Sequence, residues 1–384
     1  MTVRATPHTP LYLDTVGATD DFLISIAGTR ALAIDTEGAS FHRFVDRIYL
    51  LQLSTREVSA VVDPLPIGIP ARLGALLEDA SVQKIFHDAD YDLRLLHQDY
   101  GWNVRNIFDT RLASQLMGLK AFGLAALLDR YFQVKLDKKH QRADWSMRPL
   151  TQDMLAYAAL DTMYLLDLSD RLRAELERAG RWEWATEEFA RLEGTRWDDS
   201  PYRDEDAFLR IKGARDLSHR ELALLRELVG WRDTVARDLD RATFRVASNE
   251  VLLEAARVAP RTNAEVAAVR GMPRGIGERR AADIRAAVER GLALPEDQLP
   301  RFPRSARWDR DDDFEPRVAR LKEVRDRTAG RLEMDPGFLC SRERLEAIAR
   351  RNPKTLEDLA ELPELRRWQI AEMGPGFLEA LASA

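Results

Sequence analysis

Strand character is confined to one half of this 384-residue chain, and that division limits the fold more than any other feature. Ala31-Leu-Ala-Ile-Asp35 and Ile48-Tyr-Leu-Leu-Gln-Leu53 are short apolar runs bounded by polar residues, the pattern of buried strands. Val58-Ser-Ala-Val-Val62 is β-rich and ends at the turn signal Asp63-Pro64, and Val82–Phe86 is a fourth candidate. Helical spacing follows at Leu93 and Leu96, then dominates from Asp109 to about Arg178. Strands first, with helices interleaved and then dominant, predict an α/β layer fold with a mixed sheet flanked by helices.

From about residue 208 the strand signal is gone. Ser218-His-Arg-Glu221 and Thr262-Asn-Ala-Glu265 are capping-box starts, the first leading into helical periodicity over Leu222–Leu239. The stretch from Leu292 to Pro316, with Pro295, Pro300, Pro303 and an acidic run from Asp309 to Glu315, has the composition of a linker. The helical segments on its two sides are related. At an offset of 93 residues Arg232-Asp233 falls on Arg325-Asp326, Leu239 on Leu332, Ser248 on Ser341, Pro260 on Pro353 and Thr262 on Thr355. Two tandem copies of one small all-α domain are predicted. The expected boundaries are 1–200 for the α/β domain, 208–292 and 316–384 for the copies, and 293–315 for the linker.

Lys plus Arg total 58 against 64 Asp plus Glu, a net charge of −6, which excludes a uniformly basic nucleic-acid coat. The single cysteine, Cys340, excludes a disulfide framework or zinc finger and suits a reducing compartment. MTVRATPHTPLYLD lacks the apolar core of a signal peptide, and nothing approaches the roughly 18–20 apolar residues of a membrane helix. No G-x-x-x-x-G-K-[ST] occurs, so no nucleoside triphosphate is expected as a partner. The expected setting is the cytoplasm, away from membranes, and the expected state is a monomer.

Chemistry is suggested by acids at the ends of strands. Asp35 and Glu37 close an apolar strand two residues apart, so the period of two puts both on one side. Phe86-His-Asp-Ala-Asp-Tyr-Asp-Leu93 supplies a third acid after a later strand, from Asp88, Asp90 or Asp92, unless Asp88 or Asp90 simply caps the next helix. Tyr157 and Asp161 share a helix face by their i,i+4 spacing. Hard oxygen ligands without paired Cys or His favour Mg²⁺ or Mn²⁺ over Zn²⁺. Two such ions about 3.5–4 Å apart suit phosphodiester cleavage.

In this order the segments resemble the three exonuclease motifs of the DEDD 3′–5′ exonucleases, in the tyrosine-bearing DEDDy branch. The resemblance implies a ribonuclease H-like α/β domain. It assigns Asp35 and Glu37 to the first motif, Asp92 to the second through the pair Tyr91-Asp92, and Tyr157 with Asp161 to the third. Phe108-Asp109-Thr110 and Lys138-Lys-His-Gln-Arg-Ala-Asp-Trp145-Ser-Met-Arg148-Pro-Leu150 are similar to ribonuclease D, and the tandem copies resemble HRDC domains. The resemblance implies two divalent ions, Mg²⁺ or Mn²⁺, with Asp35 bridging both, Glu37 and Asp161 completing the first and Asp92 holding the second. Tyr157 would orient the attacking water, since a phenol of ordinary pKa near 10 is a poor base at neutral pH. The implied activity is 3′–5′ exoribonuclease trimming of structured RNAs with single-stranded 3′ ends, tRNA precursors above all, releasing nucleoside 5′-monophosphates.

Substrate grip has to come from local charge. Between Arg130 and Arg148 six basic residues face two acids, which nominates Lys138, Lys139, Arg142 and Arg148 for phosphates, with Trp145 and His140 for stacking. From Arg270 to Arg290 six arginines face three acids around Gly275-Ile-Gly277, which adds Arg274 and Arg279. His42, His87 and His97 lack partners at ligand spacing and are expected to be structural. Two other readings stand beside this one: a DNA 3′–5′ exonuclease of repair, and an inactive nucleic-acid-binding module, whose signature would be a missing acid.

Overall fold

The computed structural model describes residues 9–136, 139–198, 205–303 and 311–382. Six strands, β1 (Leu11–Leu13), β2 (Ala31–Glu37), β3 (Leu50–Ser54), β4 (Ser59–Val62), β5 (Gln83–Phe86) and β6 (Ile107–Asp109), form one sheet in the order β1-β4-β3-β2-β5-β6. β2 pairs antiparallel with β3, and β3 with β4, while β1–β4, β2–β5 and β5–β6 are parallel. The sheet is therefore mixed, as the sequence predicts. β1 and β6, which the sequence reading missed, hold three residues each at the two edges, too short to display a period of two.

Alternation along β2 sorts its side chains to two faces. Leu32 and Ile34, with Leu51 and Leu53 of β3, join a core with Phe22, Leu73, Leu77, Leu93 and Leu96 from the helices Val16–Ser25, Ala71–Glu78 and Asp90–Tyr100. The opposite face, which carries Ala33, Asp35 and Glu37, is covered by the helices Gln152–Met163 and Leu165–Arg178. On that face Ala33 lies opposite Ser54, Asp35 opposite Gln52 and Glu37 opposite Leu50.

The tandem relation holds in three dimensions. Ser248 and Ser341 each cap the helix that follows, and those helices end on Ala259 (φ 46°) and Asn352 (φ 47°), both left-handed. Thr262 and Thr355 open capping boxes with Glu265 and Asp358, and the predicted box at Ser218 is closed by Glu221. Arg232 and Arg325 each pair with the next aspartate at 2.9 and 2.7 Å. The two copies differ in what they pack against. The first has its own core, including Phe208, Leu225, Leu252 and Ile284. In the second, Leu321, Leu345, Trp368 and Phe377 belong to one continuous core with Phe108, Leu116, Leu172 and Phe189 of the α/β part. The linker expected over 293–315 is described only in part; residues 304–310 lie outside the described residues. Among the described residues, no helix is long and apolar enough to cross a membrane.

Candidate active site

Three carboxylates converge where β2 ends. Asp35, Glu37 and Asp161 each offer an oxygen, and these oxygens lie within 4.8 Å of one another. β2 brings two of them by its alternation, and the helix Gln152–Met163, lying across the same face, brings the third. Asp92 comes from the other face, in the first turn of the helix Asp90–Tyr100. It is buried to 4% exposure, and its Oδ1 accepts from the Thr36 amide at 3.0 Å and the Thr36 hydroxyl at 2.5 Å. Neither Asp88 nor Asp90 caps that helix, whose cap position is Ala89. Both side chains are more than half exposed and pair with arginines, Asp88 with Arg111 and Asp90 with Arg94.

The turn leading to Asp92 is held by Asp109, the centre of the Phe108-Asp109-Thr110 signature. Its buried carboxylate accepts from the amides of Asp88, Ala89, Arg111 and Leu112. Tyr91, beside Asp92, donates to Asp46 in the loop that follows Glu37. A Cβ on Gly38 would press on the Tyr91 hydroxyl and the Asp46 carboxylate, so a larger residue there has to displace that pair. Asp46 and Gly38 are site residues that sequence reasoning missed, since neither carries a signal of its own.

The same loop is gripped by the first helical copy. Asp240 pairs with Arg43 at 3.4 Å and accepts from the Phe44 amide at 3.3 Å, Arg245 Nε donates to the Phe41 carbonyl at 2.5 Å, and Phe244 meets Phe41 edge-on at 6.2 Å. A groove of about 970 Å³ lies along this junction. Five arginines and six acids line it, a balance that offers a phosphate backbone no net attraction.

All four acids hold their protons above the ordinary carboxylate range. Burial is the largest cause for each, followed by repulsion: from Asp161 on Asp35, from Asp35 on Glu37 and Asp92, and from Asp92 on Asp161. Asp161 is pushed up to about 7. Four hard oxygen donors whose charges repel in a low-dielectric cleft are the chemistry that suits a divalent cation. A carboxyl with a raised folded pKa binds its proton more tightly folded than unfolded. The stability it lends is therefore full below the unfolded value of about 4 and lost as pH climbs through the folded one. In EDTA the melting temperature is expected to fall as pH rises from about 4 to about 7, less steeply in Asp161→Asn. Added Mg²⁺ should then raise it more at about pH 8 than at about pH 5, and thermal scans showing an equal shift at both would contradict the assignment.

The residues expected to grip RNA divide. Lys138 lies outside the described residues. Lys139 is exposed, 3.5 Å from Asp153, and Arg142 is exposed with its guanidinium 5.5 Å from the Phe41 ring centre. Trp145 is 2% exposed, so it is no surface for stacking a base; it backs Tyr157, ring centres 6.1 Å apart and nearly parallel. His140 also packs on Tyr157, edge-on at 5.7 Å. Arg148 is not available to phosphate: it donates to both Asp63 oxygens and to the carbonyls of Tyr49, Trp145 and Met147, which engages every N–H it has. Burial pushes Asp63 up, but the hydrogen bonds from Arg148 and Tyr12 win and hold it below its usual value. In the first copy, Arg274 is exposed and paired with Glu278 at 2.9 Å, and Arg279 Nε bonds the Gly275 carbonyl within a short helix. The amides of Ile276 and Gly277 donate to the Pro273 carbonyl inside that helix.

A family model described as 3′–5′ exonuclease matches residues 13–177, and the HRDC domain model matches twice, at 221–288 and 314–381. The chain is 32% identical to ribonuclease D of Gluconacetobacter diazotrophicus over 91% of this chain and 86% of that one. It is similar to the crystal structure of Escherichia coli RNase D, described as an exoribonuclease involved in structured RNA processing, with TM-score 0.74 and 27% identity over 98% and 99% of the two chains. The catalytic core of RRP6 from Trypanosoma brucei is also similar, with TM-score 0.66 and 28% identity over 76% of this chain and 85% of that one. With this fold, this acid set and these relatives, the chain belongs to the ribonuclease D family and is a 3′–5′ exoribonuclease.

Proposed function

We propose that this exoribonuclease trims the 3′ ends of structured RNAs, tRNA precursors above all, releasing nucleoside 5′-monophosphates in the cytoplasm. The observation that carries the reading is the convergence of Asp35, Glu37 and Asp161, with Asp92 entering from the opposite face. Asp35, Glu37, Asp92 and Asp161 would hold two divalent ions, Mg²⁺ or Mn²⁺, which when bound supply Lewis-acid stabilisation of the charge developing on the phosphodiester. Tyr157 orients the attacking water, and the packed rings of Trp145 and His140 fix the phenol's direction. Residues 1–200 carry the chemistry. The helical copies, 208–292 and 316–384 about the 293–315 linker, frame the approach of the RNA body. Support for a structured substrate comes from the description of the E. coli relative and from the first copy's hold on the loop behind Glu37.

The test is a tRNA with a short 3′ extension, labelled at its 5′ end, beside a matched single-stranded DNA, each with Mg²⁺, Mn²⁺ or EDTA. The expected result is a metal-dependent ladder on the RNA that halts near the mature 3′ end, with the DNA barely touched. Equal or faster loss of DNA would replace this reading with a repair exonuclease. Tyr157→Phe should lower turnover about 10–100-fold with little change in KM, the pattern of an interaction made at the transition state. An unchanged rate would strip Tyr157 of its role.

A further inference from the structure

Gln52 sits in the middle of β3, is 0% exposed, and has no hydrogen-bond partner for either its Oε1 or its Nε2. A carboxamide sealed in a sheet with neither end satisfied is costly, because water can reach neither atom. Its place in the register shows what the amide faces. Gln52 lies directly opposite Asp35 in the antiparallel β2–β3 pair, so the two side chains leave the same face of the sheet with Cβ atoms about 4.5–5.5 Å apart. Its partner on the other side is Val61, which is apolar. Two residues along the same face, the Ser54 hydroxyl is already bonded to Ser59 and Thr162, at 2.7 Å each. The lid over this face is the apolar side of the helix Gln152–Met163, through Leu155, Ala158 and Ala159. Among the side chains flanking Gln52 in this register, Asp35 brings the carboxylate, with Glu37 diagonal to it.

We propose that Gln52 is a positioning residue for the metal site: its Nε2 donates to the Asp35 carboxylate, fixing that carboxylate's orientation when an ion binds. The inference rests on the reading of Asp35 as a metal ligand. An ionised carboxylate has about four lone-pair sites, so it accepts from an amide while it binds a cation. Outer partners of this kind typically change metal affinity about 10–100-fold when removed.

The experiment is a Mn²⁺ titration of the full chain without RNA, read as the shift of melting temperature, for the wild type, Gln52→Met, Gln52→Asn and Asp35→Asn. Gln52→Met keeps the volume and loses the amide; its half-maximal Mn²⁺ concentration should rise about 10–100-fold. Its melting temperature in EDTA should not fall, since a dissatisfied amide has been replaced by an apolar chain. Gln52→Asn, with the amide drawn back by one methylene, should move the midpoint the same way and keeps the test open if the methionine variant does not fold. With saturating Mn²⁺, hydrolysis by either variant should recover most of the wild-type rate. An unchanged midpoint in both, with or without a loss of stability in EDTA, would overturn the proposal and leave Gln52 as core filling. A wild type with no Mn²⁺-dependent shift, or an Asp35→Asn protein that keeps it, would overturn the metal-ligand reading itself and this inference with it.

Discussion

Asp35→Asn is expected to lower hydrolysis at least about a thousandfold while leaving RNA affinity within a few-fold of the wild type. Asparagine keeps the shape of the side chain and removes its charge. Asp35 interacts with each of the other three acids: it repels Glu37 and Asp92 and is itself repelled by Asp161. A site that would hold cations through these carboxylates loses much of its pull when one that meets all the others is neutral. The loss amounts to several kcal/mol of transition-state stabilisation, and each 1.4 kcal/mol is about tenfold in rate. Ground-state binding draws on surfaces outside the cluster, so single-turnover rates and equilibrium binding should separate. The same substitution relieves repulsion in the metal-free cleft, so in EDTA at about pH 8 the variant should melt higher than the wild type. Strong residual cleavage, or a parallel loss of binding, would remove Asp35 from the centre of the site.

Local pattern made the acids legible and left their support hidden. Asp35 and Glu37 follow from the period of a strand, and Tyr157 and Asp161 from the turn of a helix. Asp92 could not be told from Asp88 and Asp90 by spacing; only the family motif chose it. The physical distinction is burial, since Asp92 is sealed against Thr36 while its neighbours stand in solvent beside arginines. Charge counting misread Arg148, because a sum of charges carries no information about Asp63, 85 residues away in sequence. Trp145 was misread for a similar reason: an aromatic residue in a basic segment does not reveal that its ring is buried behind Tyr157. Four strands were long enough to show themselves, whereas β1 and β6 owe their state to pairing with β4 and β5. Gln52 is the most hidden, since a glutamine in an apolar run gives no sign that it lies opposite Asp35.

The unequal packing of the two helical copies makes Arg366→Met the variant with the largest expected effect on stability. Arg366 Nε donates to both oxygens of Glu188 at 3.1 and 3.0 Å, and the two side chains are only 10% and 11% exposed. Trp368 Nε1 donates to the same carboxylate at 3.0 Å, its ring stacks on Trp184 at 4.8 Å, and Arg181 reaches the Leu332 carbonyl at 2.7 Å. Glu188, Trp184 and Arg181 all belong to the α/β part, whose core runs on into the second copy. Removing one partner of a buried pair leaves the other charge uncompensated, which costs about 3–5 kcal/mol. Because that core is continuous, the loss should appear as earlier heat inactivation of the nuclease, with catalysis at low temperature unchanged. Adding Glu188→Gln should restore part of the loss, since the stranded charge is gone. For the same reason, truncation after about residue 205 is expected to weaken cleavage even of short oligonucleotides. It would strip the α/β part of apolar neighbours that belong to its core. Removing 208–292 by internal deletion leaves the α/β core intact, since that copy has its own core, and releases only its hold on the loop after Glu37. An Arg366→Met protein that melts and inactivates with the wild type would show that the second copy is an appendage to the catalytic fold.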